Sequence, residues 1–223
     1  MYVRTTFHQQ LAEAERLIIE TSGLVLQQLE RTLRTLETRD ESLADVVISG
    51  DDAVDERYIE IEQRVLTLLA TQAPVASDLR LVSAMLHINF HLERMADLCT
   101  NIAKFVKLSP RGVFSEEIVQ EIVEMGKQGS RMLERVIEAF RERDLQKALS
   151  LTEMDQTINR LNRSLFKRVA HQFSGSEEEV EWGTRMVLAS RQLERMGDHA
   201  VDIAEQVAFM ITGEFREFTD ASH

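Results

Sequence analysis

The sequence has few of the residues that interrupt helices. Two prolines and nine glycines occur in 223 residues. This scarcity favours a small number of long helices over many short strands, because proline and glycine are the residues that most often end regular elements. A chain of this length can also bury a substantial apolar core. The composition therefore predicts an all-α protein.

Cysteine, positive charge and long apolar runs are also scarce. Cys99 is the single cysteine, so an intrachain disulfide is excluded. The chain has 26 basic and 38 acidic residues and a formal net charge of −12, which disfavours nucleic acid and anionic lipid as partners because both attract basic surfaces. No secretory segment opens the chain, and no run of about 18 apolar residues occurs. These absences predict a cytoplasmic protein without direct membrane insertion.

Apolar residues recur at helical spacing in six segments joined by short connections. Helices joined by short loops pack as antiparallel neighbours. The helices are expected at about 5–38, 41–72, 78–108, 116–142, 145–171 and 177–212. The pattern predicts two repeated three-helix antiparallel bundles related by a pseudo-twofold axis, with domains at residues 1–110 and 111–223.

One stretch of the third helix returns in the sixth. Residues 92–103 and 193–204 share the pattern Leu-Glu-Arg-Met-x-Asp-x-x-x-(Asn/Asp)-Ile-Ala. Such a match at a long, fixed separation indicates an internal repeat. We therefore expect the two copies to occupy equivalent places in the two bundles.

The acidic residues of each copy lie on one helix face. Positions four apart differ by about 40° around the axis and about 6 Å along it, so Glu93 and Asp97 are neighbours, with Asn101 one turn further on. The second copy repeats this arrangement with Glu194, Asp198 and Asp202. Like charges at this spacing destabilise an isolated helix by a few tenths of a kcal/mol. A bound cation would offset the repulsion, and so would ion pairs with Arg94 and Arg195; a solvated acidic face is the third interpretation.

The second and fifth helices offer acidic residues that could complete a site. Aligning the turns that precede these helices places Asp51 on Asp155 and Asp55 on Asn159. Four carboxylates in one groove would suit magnesium, manganese or iron, because these ions prefer oxygen ligands. The second half is weaker by one carboxylate, since Asn159 offers only a neutral carbonyl oxygen.

Other chemistries find little support in the sequence. Glu-x-x-His pairs, typical of di-iron bundles, do not occur, and neither do a glycine-rich phosphate loop or a serine-elbow motif. The protein is therefore not expected to be an enzyme. His91 and His199 flank the two motif copies at non-equivalent positions. We interpret them as surface residues or neighbours of the ligands, and direct metal contact is the less favoured alternative.

Two three-helix repeats, each with Glu-Arg-x-x-Asp-x-x-x-(Asn/Asp)-Ile-Ala on its last helix, resemble the PhoU family over essentially the whole chain. The segments Val75–Arg80 and Gly197–Ala200 strengthen the resemblance. It implies a negative regulator of phosphate uptake and of phosphate-starvation signalling. It also implies contact with the ATPase subunit of the phosphate transporter and with a sensor histidine kinase, and a homodimer.

The resemblance also implies two metal sites. The first would use Asp51, Asp55, Glu93 and Asp97, and the second Asp155, Asn159, Glu194 and Asp198. Asn101 and Asp202 are possible additional ligands, and Arg94 and Arg195 would hold the carboxylates in place. The expected cofactor is one or more ions of iron, manganese, magnesium or zinc. The alternative is a metal-free helical scaffold whose acidic residues form structural salt bridges.

Overall fold

The structure, a computed structural model, describes residues 2–173 and 175–218, with side chains from residue 6 onward. Within these residues it is all-α, as predicted. The helices are α1 Tyr2–Thr38, α2 Glu41–Gln72, α3 Ser77–Leu108, α4 Glu116–Glu142, α5 Leu145–Leu149, α6 Leu151–Gln172 and α7 Glu177–Thr212. None of them, in the part of the chain described, combines the length and apolar character of a membrane span.

The predicted fifth helix is divided at Ser150 into α5 and α6. The Ser150 hydroxyl donates to the Lys147 carbonyl oxygen at 2.7 Å. This bond closes the turn at the break, but Ser190 makes the same bond to the Val187 carbonyl inside the unbroken α7, so the bond does not by itself account for the break. Together α5 and α6 occupy the place of one long helix, so the two three-helix bundles predicted from the sequence are confirmed.

The same turn ends the first helix of each repeat. Arg39 and Arg143 have φ values of 55° and 56°, in the left-handed region that reverses a chain after a helix. Asp40 then accepts hydrogen bonds at the start of α2, and Asp144 does so at the start of α5. Each such cap is worth about 1 kcal/mol. The matching turns set the register of the second helix in both repeats.

The two repeats are joined along the helices that carry the motif. Within the first repeat α1, α2 and α3 pack on one another, and within the second α4, α6 and α7 do so. Between repeats, α3 packs against α7 and α1 against α4. One cluster of buried apolar residues continues through both halves. The two motif copies therefore lie on the helices that form the junction.

The connection between repeats is fixed by Arg39. Its guanidinium donates to the carbonyl oxygens of Pro110 at 2.5 Å, Val113 at 3.1 Å and Arg111 at 3.2 Å. Charge-assisted bonds to three carbonyls within four residues hold this segment against the turn between α1 and α2. The predicted boundary between residues 110 and 111 falls in this connection, and the division into two domains stays a prediction.

Candidate metal centres

We call Asp51, Asp55, Glu93 and Asp97 the first carboxylate group. Its members come from α2 and α3. The pKa of Glu93 is raised above its ordinary value, first by burial, then by the charge of Asp97, and further by Asp55 and Asp51. The pKa of Asp51 is raised by burial and then by Asp97 and Asp55, against the hydrogen bond from Gln28. The acidic residues of the two helices therefore share one electrostatic environment.

Gln28 of α1 positions Asp51. Its Nε2 atom donates to Asp51 Oδ1 at 3.4 Å, to Thr100 Oγ1 at 3.2 Å and to the Val47 carbonyl oxygen at 3.3 Å. The side chain is buried and links all three helices of the first repeat. Sequence reasoning missed this residue, although a polar residue inside the apolar stripe of α1 was a usable signal.

Arg94 contacts both motif acids of the first copy. Its Nη1 atom lies 2.7 Å from Asp97 Oδ2, and its Nε atom lies 3.1 Å from Glu93 Oε2. The guanidinium also stacks on Phe90, 5.3 Å from the ring centre. Glu93 Oε2 is nevertheless buried and accepts no hydrogen bond from the residues described. Asn101 is half-buried one turn beyond Asp97.

We call Asp155, Asn159, Glu194 and Asp198 the second carboxylate group. Asp155 is buried, and the Asn159 side-chain amide donates to its Oδ2 atom at 2.6 Å. A Cβ atom at Gly197 would lie 2.5 Å from Asp155 Oδ1. The absence of a side chain there lets the Asp155 carboxylate approach α7. Asn159 is therefore a donor to a buried acid at the position where the first repeat has another carboxylate.

The arginine pairing differs between the two copies. Glu194 Oε1 accepts from Arg191 at 2.5 Å, whereas Arg195 is exposed. Arg94 and Arg195 are equivalent positions, but the ring that supports Arg94, Phe90, is replaced by Arg191 in the second copy. Glu194 thus pairs with Arg191, one turn before Arg195, and the role of Arg195 stays a prediction.

Glu194 and Asp198 carry the same electrostatic signature as the first group. The pKa of Glu194 is raised by burial and then by Asp198. The pKa of Asp198 is also raised, by partial desolvation although the residue itself is exposed, and then by the charge of Asp202. Glu194 Oε2 is buried and accepts no hydrogen bond from any described residue.

Both carboxylate groups fit an oxygen-preferring cation chemically. Each holds a buried carboxylate oxygen without a hydrogen bond, and the cost of that oxygen would be offset by a cation. The first group offers four carboxylates, and the second offers three carboxylates and an amide. Their oxygens do not converge as a closed site: among the residues described, no three acids of either group bring ligand atoms within 4.8 Å of one another. The ligand sets stay predictions.

His91 and His199 lie in contact with each other at the junction between the repeats. The sequence analysis interpreted them as surface residues or neighbours of the metal ligands. Their Nδ1 atoms lie 3.1 Å apart, and Asp202 Oδ2 lies 3.6 Å from each. Burial lowers the pKa of His91 to about 4, against the attraction of Asp202. This pairing depends on how α3 and α7 are rotated and shifted, which no sequence pattern fixes.

A PhoU domain matches residues 18–106 and again residues 122–207. The chain is 31% identical to the phosphate-specific transport system accessory protein PhoU homolog of Clostridium acetobutylicum, over 97% of this chain and 99% of that protein. It is 34% identical to the Zymomonas mobilis PhoU homolog, over 93% and 87% of the two chains.

Solved structures agree with these matches. The crystal structure of the phosphate transport system regulatory protein PhoU from Streptococcus pneumoniae superposes with a TM-score of 0.88 at 29% identity, covering 95% of this chain and all of that one (100%). PhoU from Pseudomonas aeruginosa gives a TM-score of 0.84 at 28% identity, covering 93% and 100%. The duplicated three-helix architecture, the duplicated motif and similarity along nearly the whole chain lead to one conclusion: the chain belongs to the PhoU family.

Proposed function

We propose that this protein is a non-enzymatic, negative regulator of phosphate uptake and phosphate-starvation signalling. It works in the cytoplasm as a homodimer, by contact with the ATPase subunit of the phosphate ABC transporter and with a sensor histidine kinase. The observation that carries this proposal is the similarity, over 97% of the chain, to a protein named as an accessory protein of phosphate-specific transport.

Metal binding at the two carboxylate groups is the second part of the proposal. Asp51, Asp55, Glu93 and Asp97 would hold a cation between α2 and α3. The second site would use Asp155, Asn159, Glu194 and Asp198. The raised pKa values of Glu93 and Glu194 support this assignment, because they indicate carboxylates whose charge the protein alone does not fully compensate. Iron, manganese, magnesium and zinc are the candidate ions.

A metal-free scaffold is the alternative function, and specific contacts favour it. Arg94 contacts both Glu93 and Asp97, and Arg191 pairs with Glu194. These ion pairs give part of the compensation that a cation would give. In this alternative the acidic residues only shape the helix surfaces that meet the partners.

Gene deletion and complementation test the regulatory role. In high phosphate, deletion should derepress phosphate-responsive genes, and the wild-type chain should restore repression. Unchanged expression after deletion would contradict the proposal. Co-purification with the transporter ATPase subunit and with the kinase, each tested separately, then decides which contacts exist.

Metal analysis separates the two alternatives. Plasma mass spectrometry on wild-type protein purified without an affinity metal should find stoichiometric metal that falls in Glu93→Gln/Asp97→Asn. Glu134→Gln/Glu138→Gln is the matched control, because it changes two acidic residues four apart on α4, outside both groups. Repression that survives in a protein without metal would favour the scaffold.

A further inference from the structure

A cluster of two histidines and one aspartate bridges the two repeats. His91 comes from α3 of the first repeat, and His199 and Asp202 come from successive turns of α7 in the second. The side chains of the two histidines are 13% and 16% exposed, whereas that of Asp202 is 44% exposed. The cluster is thus enclosed on the imidazole side and open to solvent at the carboxylate.

The distances within the cluster match the requirements of a small metal ion. The two Nδ1 atoms are 3.1 Å apart, and Asp202 Oδ2 is 3.6 Å from each. In the plane of the three atoms, the equidistant point lies about 2.0 Å from each of them; an ion displaced from that plane toward a fourth ligand, as a tetrahedral shell requires, would lie about 2.1 Å from each, still within the usual range of zinc–nitrogen and zinc–oxygen bonds. Among the described residues, this is the group of three potential ligands whose donor atoms all lie within 4.8 Å of one another.

The donor set narrows the choice of metal to zinc and iron among the four ions considered for the carboxylate groups, and it adds nickel and copper. Imidazole nitrogen suits zinc, iron, nickel and copper, whereas magnesium and manganese prefer carboxylate oxygens. Two imidazoles and one carboxylate leave a coordination position for water, and the exposed side at Asp202 provides access to it. Zinc is the natural probe, because three protein ligands and one water complete its tetrahedral shell.

We propose that His91, His199 and Asp202 bind one nitrogen-preferring divalent ion of the zinc class, and that this ion fastens the first repeat to the second. The site shares no residue with either carboxylate group, and it gives Asp202 a role other than the additional ligand of the second site that the sequence suggested. The proposal does not rest on the regulatory function, since it concerns only the junction of α3 and α7. An ion that binds the folded state but not the unfolded state also stabilises the folded state by mass action.

The test uses the full-length chain, freed of metal by a chelator that is then removed. In competition with a chromophoric chelator, the protein should bind one Zn²⁺ per chain at a site that the histidine variants lose. Zn²⁺ should also shift thermal unfolding of the wild type to higher temperature. Titration with Co²⁺ should give the intense visible bands of a four-coordinate, nitrogen-ligated ion. His91→Asn, His199→Asn and Asp202→Asn should each weaken Zn²⁺ binding roughly tenfold to a hundredfold or more.

Two controls make the result specific. His87→Asn removes an exposed histidine one turn before His91 on the same helix, and it should bind Zn²⁺ and Co²⁺ like the wild type. Glu93→Gln/Asp97→Asn should also keep the Co²⁺ bands, whether or not the carboxylate groups hold metal. Asp202→Asn is nearly isosteric and changes a side chain that is 44% exposed, so it tests the site even if a histidine variant fails to fold.

Three results would overturn the proposal. The first is an identical Zn²⁺ titration in the wild type and in the Asp202 and His199 variants. The second is a wild-type protein that gives no intense Co²⁺ bands. The third is a loss of stability in the histidine variants that is the same with and without Zn²⁺, since it would mean that the imidazoles form only a hydrogen bond with each other.

Discussion

Replacing Gly197 by alanine tests the packing of the second carboxylate group. The added Cβ atom would lie 2.5 Å from Asp155 Oδ1 and 3.3 Å from Ile158 Cδ1. The carboxylate is anchored by the Asn159 amide at 2.6 Å, so it cannot retreat without weakening that bond. We therefore expect Gly197→Ala to displace Asp155 from α7.

The sign of the stability change follows from three magnitudes. Alanine is favoured over glycine inside a helix by about 0.8–1.0 kcal/mol. Overpacking in a filled interior costs about 1–3 kcal/mol, and loss of the hydrogen bond between Asn159 and Asp155 costs a further ~1 kcal/mol. Gly197→Ala should therefore destabilise the protein by about 1–3 kcal/mol. At Gly50, where nothing lies within 4 Å of an added Cβ, alanine should instead stabilise by about 0.5–1 kcal/mol.

Urea unfolding followed by circular dichroism measures these differences, and metal content is measured on the same samples. Gly126→Ala is the second control, because its Cβ would collide with Leu33 in the apolar core. It should destabilise the protein without lowering metal content, whereas Gly197→Ala should lower both. A Gly197→Ala protein that gains as much stability as Gly50→Ala would refute the placement of Asp155 against α7.

Three further predictions concern charge, the connection between repeats and cooperativity. Because burial raises the pKa of Glu93 in the folded chain, the folded chain takes up this proton before the unfolded chain does as the pH falls. Lowering the pH toward the ordinary glutamate pKa should therefore stabilise metal-free wild type relative to Glu93→Gln, and equal pH profiles in thermal melts would contradict this. Arg39→Ala should lower the free energy of unfolding by about 1–3 kcal/mol in urea titrations, because three hydrogen bonds to carbonyl oxygens are lost. The control Arg34→Ala, at an exposed position, should change this free energy by under ~0.5 kcal/mol. Equal effects of the two substitutions would contradict the role of Arg39. Trp182, the single tryptophan, is buried, and its ring centre lies 4.7 Å from that of Phe173. Its fluorescence emission should shift at the same urea concentration as the circular dichroism signal. Separate midpoints would show that the two repeats unfold independently.

The long helices of this fold could be predicted from the sequence because they depend on the periodic spacing of apolar residues. Apolar spacing of about 3.6 residues and very few prolines predicted every long helix. The one missed feature was the break at Ser150, where a single hydroxyl bonds to the Lys147 carbonyl. Serine in a helix usually causes no break, so the composition of the segment gave no reason to expect one.

The candidate sites were predictable only along each helix. Spacing of four residues placed Glu93 beside Asp97 and Glu194 beside Asp198, and the structure keeps both pairs together. Contacts that cross between helices were not predictable in the same way. Gln28, which joins α1 to Asp51, is an example, because the rotation of each helix is decided by the whole core.

One difference between the two motif copies, Phe90 in the first and Arg191 in the second, changes which arginine pairs with the acidic residues. In the first copy, the Phe90 ring supports Arg94, which then reaches both Glu93 and Asp97. In the second copy, Arg191 replaces this ring and itself pairs with Glu194, whereas Arg195 makes no ion pair with any described residue. Because Arg191 lies one turn before Glu194, Asp198 is left without the direct arginine contact that its equivalent Asp97 has, and its pKa is raised by partial desolvation and by Asp202. A zinc-class ion held by Asp202 would lessen this repulsion. Metal at the junction of the repeats should thus make Asp198 easier to ionise, which links the histidine cluster to the second carboxylate group.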